Sequence, residues 1–165
     1  MKTWEEFSLE EPELAALGKN MLVQDRACVG LAFLATIRKD GAPRLHPVSL
    51  VFSRARLYVF IPPRSPKCLD LKRDGRYALQ AFPPVNNNEG KEFYLSGAAQ
   101  CVSEPSTRQN VVEETGIHVE QYELMFELLV ERAMYTYLVS RGTPDEHPYH
   151  RIWPASTVEP PVDKT

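Results

Sequence analysis

Residues 30–82 constrain the fold more than any other stretch. Three apolar runs, 30–36, 46–52 and 56–62, are separated there by polar turn residues. The first break contains Lys39-Asp40-Gly41. Asp-Gly between apolar runs marks a hairpin, because the favoured two-residue turn needs positive φ at its centre. The second break, Ser53-Arg54-Ala55, is shorter. Three runs joined by two tight turns predict a β-meander.

After Pro62-Pro63 the pattern changes. Arg64-Ser65-Pro66-Lys67 opens a predicted helix over 66–73, closed by Asp74-Gly75. Ser65 suits the N-cap and Pro66 the first helical position. A helix start carries unpaired N–H groups and the positive end of the dipole. With Arg64 and Lys67 beside it, and Lys72 and Arg73 further on, this turn suits a phosphate monoester. The same residues also describe an ordinary capped helix with solvated basic side chains. A fourth strand, 77–82, follows.

A chain of 165 residues is one domain by the usual size relation and buries about 70% of its unfolded surface without staples. The expected organisation is a single domain, 1–165, with an N-terminal helical segment over 1–22 and a loop and tail over 141–165. The net charge of −3 argues against a general nucleic-acid binder. No apolar run approaches the length of a membrane span. The first residues, MKTWEEF, are acidic where an export signal is basic and then apolar, so a cytoplasmic location is expected. Cys28, Cys68 and Cys101 are odd in number and widely spaced, which gives neither a disulfide framework nor a zinc pattern. The cysteines read as buried small hydrophobes or free surface thiols; Cys68, at the helix start beside Lys67, is the one whose thiol that position would activate.

A first helix is predicted over 9–21, with Leu14, Leu17 and Met21 on one face. Residues 29–36 read as a strand apolar almost throughout, as for one covered on both faces. Pro47, inside the second strand, requires an edge, a bulge or a strand start. Residues 83–90 form a loop with Asn86-Asn87-Asn88 at its tip. A fifth strand, 92–102, contains Ser96-Gly97, where a glycine marks a bend. A helix spans 107–114 and ends at Gly116. A short helix over about 119–124 then precedes a long strand to Val139, with a bulge near Arg132. Five or six strands and few helices indicate a mainly β chain folded as a barrel.

The order Ala35-Thr36, Asp40-Gly41, Pro43, Pro47-Val48, then Ser65-Pro66-Lys67 and Leu71 resembles the pyridoxamine 5′-phosphate oxidase-like split-barrel flavoproteins. The resemblance covers roughly 30–103, and Arg151-Ile152-Trp153 more loosely. It implies a split β-barrel of the FMN-binding type, dimeric, with FMN at the subunit interface and a small-molecule substrate. Ser65 and Lys67 would hold the flavin phosphate, with Arg38 as a third contact. His46, Pro47, Val48 and Ser49 would lie along the ring, with Ile61 nearby. Arg151 and Trp153 would reach the cofactor of the opposite subunit; the alternative is a tail residue plugging the barrel. Where the oxidase has arginine after the serine, this chain has Pro66, which removes one phosphate ligand.

His46 is the residue suited to proton transfer, since histidine titrates near neutrality; the competing reading is a strand histidine with an internal hydrogen bond. His147 and His150 have metal-ligand spacing but lie in a Pro-rich stretch without further ligands. The resulting expectation is an FMN-dependent oxidoreductase. Two alternatives stand beside it: a split barrel that binds F420, or haem through His46, His118, His147 or His150; and a non-catalytic flavin-binding or scaffold module.

Overall fold

The computed structural model describes residues 1–23, 28–82 and 90–155. The Asp40-Gly41 turn closes β1 (Val29–Ile37) onto β2 (Pro43–Ser53), three residues earlier than the apolar pattern of β2 begins. Gly41 supplies the positive φ of 84°. In β1 every second residue is buried, so it has one core face and one outer face.

Hydrogen bonds from Arg38 N to Ala42 O and from Phe52 N to Cys28 O mark the two ends of the β1–β2 ladder. Counting between them makes Phe33–Pro47 a non-hydrogen-bonded pair. The nitrogen of Pro47 therefore faces away from β1, where its missing N–H costs no ladder bond. No bulge is needed. β3 (Arg56–Ile61) covers only the far half of β2, from Ser53 back to Leu50. The near half of β2 is an edge.

The β2–β3 turn carries left-handed Arg54 (φ 48°) and Ala55 (φ 54°). A left-handed residue with a side chain costs on the order of 1–2 kcal/mol. Glu114 offsets this by accepting from Ser53 Oγ at 2.7 Å and Arg54 Nε at 3.2 Å.

α3 (Pro66–Arg73) follows, then β4 (Arg76–Ala81), β5 (Glu92–Cys101), α4 (Pro105–Thr115) and β6 (Leu124–Val139). β7 (His147–Trp153) pairs with the end of β6, where the sequence suggested only loop and tail. The strand order is β3-β2-β1-β4-β5-β6-β7, and β3 also pairs with β6. That extra pairing closes six antiparallel strands into a barrel. Residues 119–124 form no helix; a turn leads directly into β6. The expected bulge is present: the β5–β6 register shifts between Ser96 and Gly97, opposite Val130 and Arg132, leaving Glu131 unpaired. A Cβ on Gly97 would lie 1.9 Å from the Leu129 oxygen, so this bend requires glycine.

The predicted single N-terminal helix is two, α1 (Trp4–Glu10) and α2 (Pro12–Val23). Thr3 and Glu6 form a capping box that starts α1. Pro12 starts α2, as its preference for a first turn dictates. The two helices close one end of the barrel. Trp4 meets Phe52 edge-on at 5.0 Å, and Phe7 meets Trp153 at 4.9 Å. A second, smaller apolar cluster of Val51, Tyr58, Val111 and Met125 lies beneath α4 on the outside of the barrel. No described helix is long and apolar enough to cross a membrane. The expected Asn86-Asn87-Asn88 loop tip and residues 156–165 of the tail lie outside the described residues.

Candidate functional site

The uncovered half of β2 forms the floor of a groove of about 720 Å³. Pro47, Val48 and Ser49 come from β2, Phe60 and Pro62 from the end of β3, and Lys67 from the first turn of α3. The opposite wall is the chain after α4, from Thr115 to Val119, with Glu123. Gly116 (φ 63°) ends α4 in the left-handed conformation and turns the chain along the groove.

The groove is mostly apolar, with a polar seam. The hydrogen-bond parity of β2 directs the Pro47 C=O and the Ser49 N–H away from β1. β2 pairs with β3 only from Leu50 onward. Lys67 stands at the end of this seam. Ser65 lies behind it as the α3 N-cap, its Oγ accepting from Cys68 N at 3.3 Å.

His46 sits on β2 next to the floor. Its Nε2 is buried and has no hydrogen-bond partner among the described residues, so the internally satisfied strand histidine is not observed. Burial pushes its pKa below the usual histidine value, and Lys67 and Arg44 repel its proton further. Neutral imidazole is thus the form favoured here.

Of the expected site residues, the structure brings Pro47, Val48, Ser49 and Lys67 together on one groove, with His46 and Ser65 adjoining. Four others lie elsewhere. Arg38 pairs with Asp40 at 3.0 Å, on the other side of α3 beside Arg44 and Arg73. Ile61 points into the barrel core and is fully buried; alternation along β3 gives the groove Phe60 instead. Arg151 is held by Glu11 at 3.0 Å and Glu13 at 2.7 Å. Trp153, only 8% exposed, packs on Phe7 with Lys2 over its ring. Within its own chain Trp153 plugs the barrel. Cys68 is buried, and burial raises its thiol pKa, contrary to the activation expected from its helix position. His147 and His150 bond to Asp145 O and Thr136 Oγ1 through their Nδ1 atoms.

Sequence reasoning missed Cys28, Phe60, Pro62 and the wall after α4. The one available signal was Gly116, a stop that had to redirect the chain.

α3 is fixed by Asp70. Its buried carboxylate accepts from Thr36 Oγ1 at 3.0 Å, Arg44 Nε at 2.7 Å and Arg73 Nη1 and Nη2 at 3.2 Å. Burial alone would raise its pKa, but these hydrogen bonds outweigh it and the net direction is down. One carboxylate thereby ties β1, β2 and α3 together and holds Lys67 at the groove.

No family model and no curated protein sequence matches the chain. Solved structures do. A candidate pyridoxamine 5′-phosphate oxidase from Listeria innocua aligns with a TM-score of 0.58 at 13% identity, over 73% of this chain and 96% of its own. A NimC/NimA family protein from Clostridium acetobutylicum gives 0.54 at 15% identity, over 81% and 92%. The haem storage protein HutZ from Vibrio cholerae gives 0.55 at 16% identity, over 73% and 89%. Likeness at such identities concerns the backbone, and the backbone agrees with the barrel closure described above: the chain has the split β-barrel fold of the pyridoxamine 5′-phosphate oxidase-like proteins.

Proposed function

We propose that the groove binds FMN and that the protein is an FMN-dependent oxidoreductase acting on a small molecule. The observation that carries this reading is the uncovered edge of β2, a line of backbone polar groups on an apolar floor that ends at a lysine. A flat ring with one polar edge and a phosphate tail has that same order of chemistry. Lys67 would take the phosphate through its ammonium; Pro66 has no N–H to add, and the Cys68 and Leu69 N–H groups already donate to Ser65. The Ser49 N–H and the Pro47 C=O would meet the polar edge of the ring, and Phe60 one of its faces. The buried, unpartnered Nε2 of His46 beside Lys67 also fits a site whose hydrogen bonding is completed by a ligand. When bound, the flavin supplies the electron chemistry; the chain binds it, orients it and limits water.

The test is the visible spectrum of the purified protein after FMN addition and gel filtration. A retained flavin spectrum is expected, and Lys67→Ala should weaken FMN binding about tenfold or more, as for loss of a charge-assisted contact, while leaving the fold intact. Equal affinity in that variant would remove the phosphate assignment. Haem is the second reading, because His118 lines the groove with its side chain 93% exposed. A Soret band abolished by His118→Ala would establish it in place of FMN.

We infer in addition that a second copy covers the outer face of β1. Leu31, Phe33 and Ala35 lie there half-buried, Phe33 packs on Phe82 with tilted rings 4.2 Å apart, and Leu45 is 62% exposed. A contiguous apolar face of this kind marks an interface. Sedimentation equilibrium should give a dimer, and Leu45→Arg should shift it toward monomer. A wild-type monomer at micromolar concentration would refute the assignment.

A further inference from the structure

We propose that Arg108 is a positioning residue for the groove, whose guanidinium holds the wall formed by residues 117–123 against Phe60 and so sets the groove's width. The inference rests on reading the groove as a ligand site.

The wall needs such a device because it has no ladder of its own. α4 ends at Gly116, and the chain runs to β6 without helix or strand. Two of its hydrogen bonds, Glu123 N to Glu120 O at 3.0 Å and Glu120 N to Glu123 Oε2 at 3.1 Å, stay within the segment. They shape it without tying it to the barrel. Ile117 packs on the outer apolar cluster at the start of the wall; Arg108, one turn into α4, ties down the rest. Its Nη1 donates to Glu123 O and its Nη2 to Glu120 O, both at 2.8 Å. The same guanidinium lies over the Phe60 ring, 5.1 Å from its centroid.

Phe60 and Glu123 both line the groove. One side chain therefore connects its two walls, by two hydrogen bonds on one side and a cation–π contact on the other. Only a planar fork makes all three contacts at once. A lysine ammonium is a single nitrogen and cannot reach the two carbonyls with separate donor atoms while lying flat on the ring. A wall held in place before the ligand arrives spares the cost of ordering it on binding.

The test uses the full chain with Arg108→Ala and Arg108→Lys. Amide hydrogen exchange is measured without ligand, and binding is titrated with two probes, FMN and anilinonaphthalene sulfonate. In both variants, exchange across 117–123 should accelerate about tenfold or more while the barrel strands keep their protection. Both probes should bind about tenfold more weakly.

Unchanged exchange in Arg108→Ala overturns the proposal. So does faster exchange with wild-type binding of both probes, or full rescue of exchange and affinity by lysine. If Arg108→Ala does not fold, Arg108→Lys decides. Should the wild type bind the sulfonate but not FMN, the cofactor reading fails and the sulfonate titration decides the role of Arg108. If the wild type binds neither probe, both readings fall.

Discussion

Replacing Trp153 by alanine is expected to destabilise the protein by about 3–5 kcal/mol, the usual range for deleting a large buried aromatic. The indole is 8% exposed, contacts Phe7 at a centroid distance of 4.9 Å and lies under the Lys2 ammonium. Its loss empties the space between α1 and the end of β7, so the N-terminal helices and the last strand loosen together. Urea denaturation read by far-ultraviolet dichroism measures the change. FMN affinity, taken at a temperature where the variant is folded, should stay within about threefold, because the groove lies elsewhere on the barrel. A stable variant with collapsed FMN affinity would show that Trp153 serves a cofactor instead of its own core.

Asp70→Ala should cost about 2–4 kcal/mol, somewhat below the range for breaking a fully buried ion pair because Arg44 and Arg73 are partly exposed. The variant leaves two guanidinium groups adjacent with no anion between them and removes the acceptor of the Thr36 hydroxyl. Its pH dependence is specific. The carboxyl pKa is lower in the folded state than in the unfolded one, so its contribution is complete above about pH 4, the unfolded range. It disappears as pH falls through the folded value, where the native carboxylate must take up a proton. The gap between wild type and variant should therefore be widest near pH 7 and narrow below pH 4. A gap of equal size at pH 7 and pH 3 would show that the charge of Asp70 is not its source.

Much of the barrel was legible in the chain. Asp40-Gly41 marked the first turn, where Gly41 takes the positive φ, but β1 is apolar almost throughout, so its single core face could not be told from the sequence. Ser96-Gly97 was readable as a bend because a strand interior rarely keeps glycine without a reason. The resemblance to the split barrels added the closure that local patterns do not carry. β7 was not legible: His147-Pro148-Tyr149-His150 has no apolar alternation, and it is a strand because β6 outruns its other neighbours and needs a partner. The 119–124 segment has helical spacing, but its carbonyls go to Arg108.

The candidate site was half readable. Local rules place Ser65 and Lys67 at a helix start and Pro47 at an edge, and these positions are set by the backbone. Side chains that must choose among partners were harder to place. Arg38 takes the nearby Asp40 instead of the groove, and within its own chain Arg151 pairs with Glu11 and Glu13, because a flexible cation settles on the carboxylates that the fold brings within reach.

The β2–β3 pairing ends at Leu50–Val59. Continuing its register would set Pro62 opposite Pro47, and neither residue has an N–H to give. Two prolines thus act as a stop on both leaves of one seam. A closed barrel leaves no free strand edge except where its strands are prevented from zipping together. This chain encodes that prevention covalently, so the opening does not depend on a ligand to keep it apart. Variation among descendants of this sequence that exchanged both prolines for β-branched residues would lengthen the ladder by several pairs. The result would be a sounder barrel with nothing left to hold.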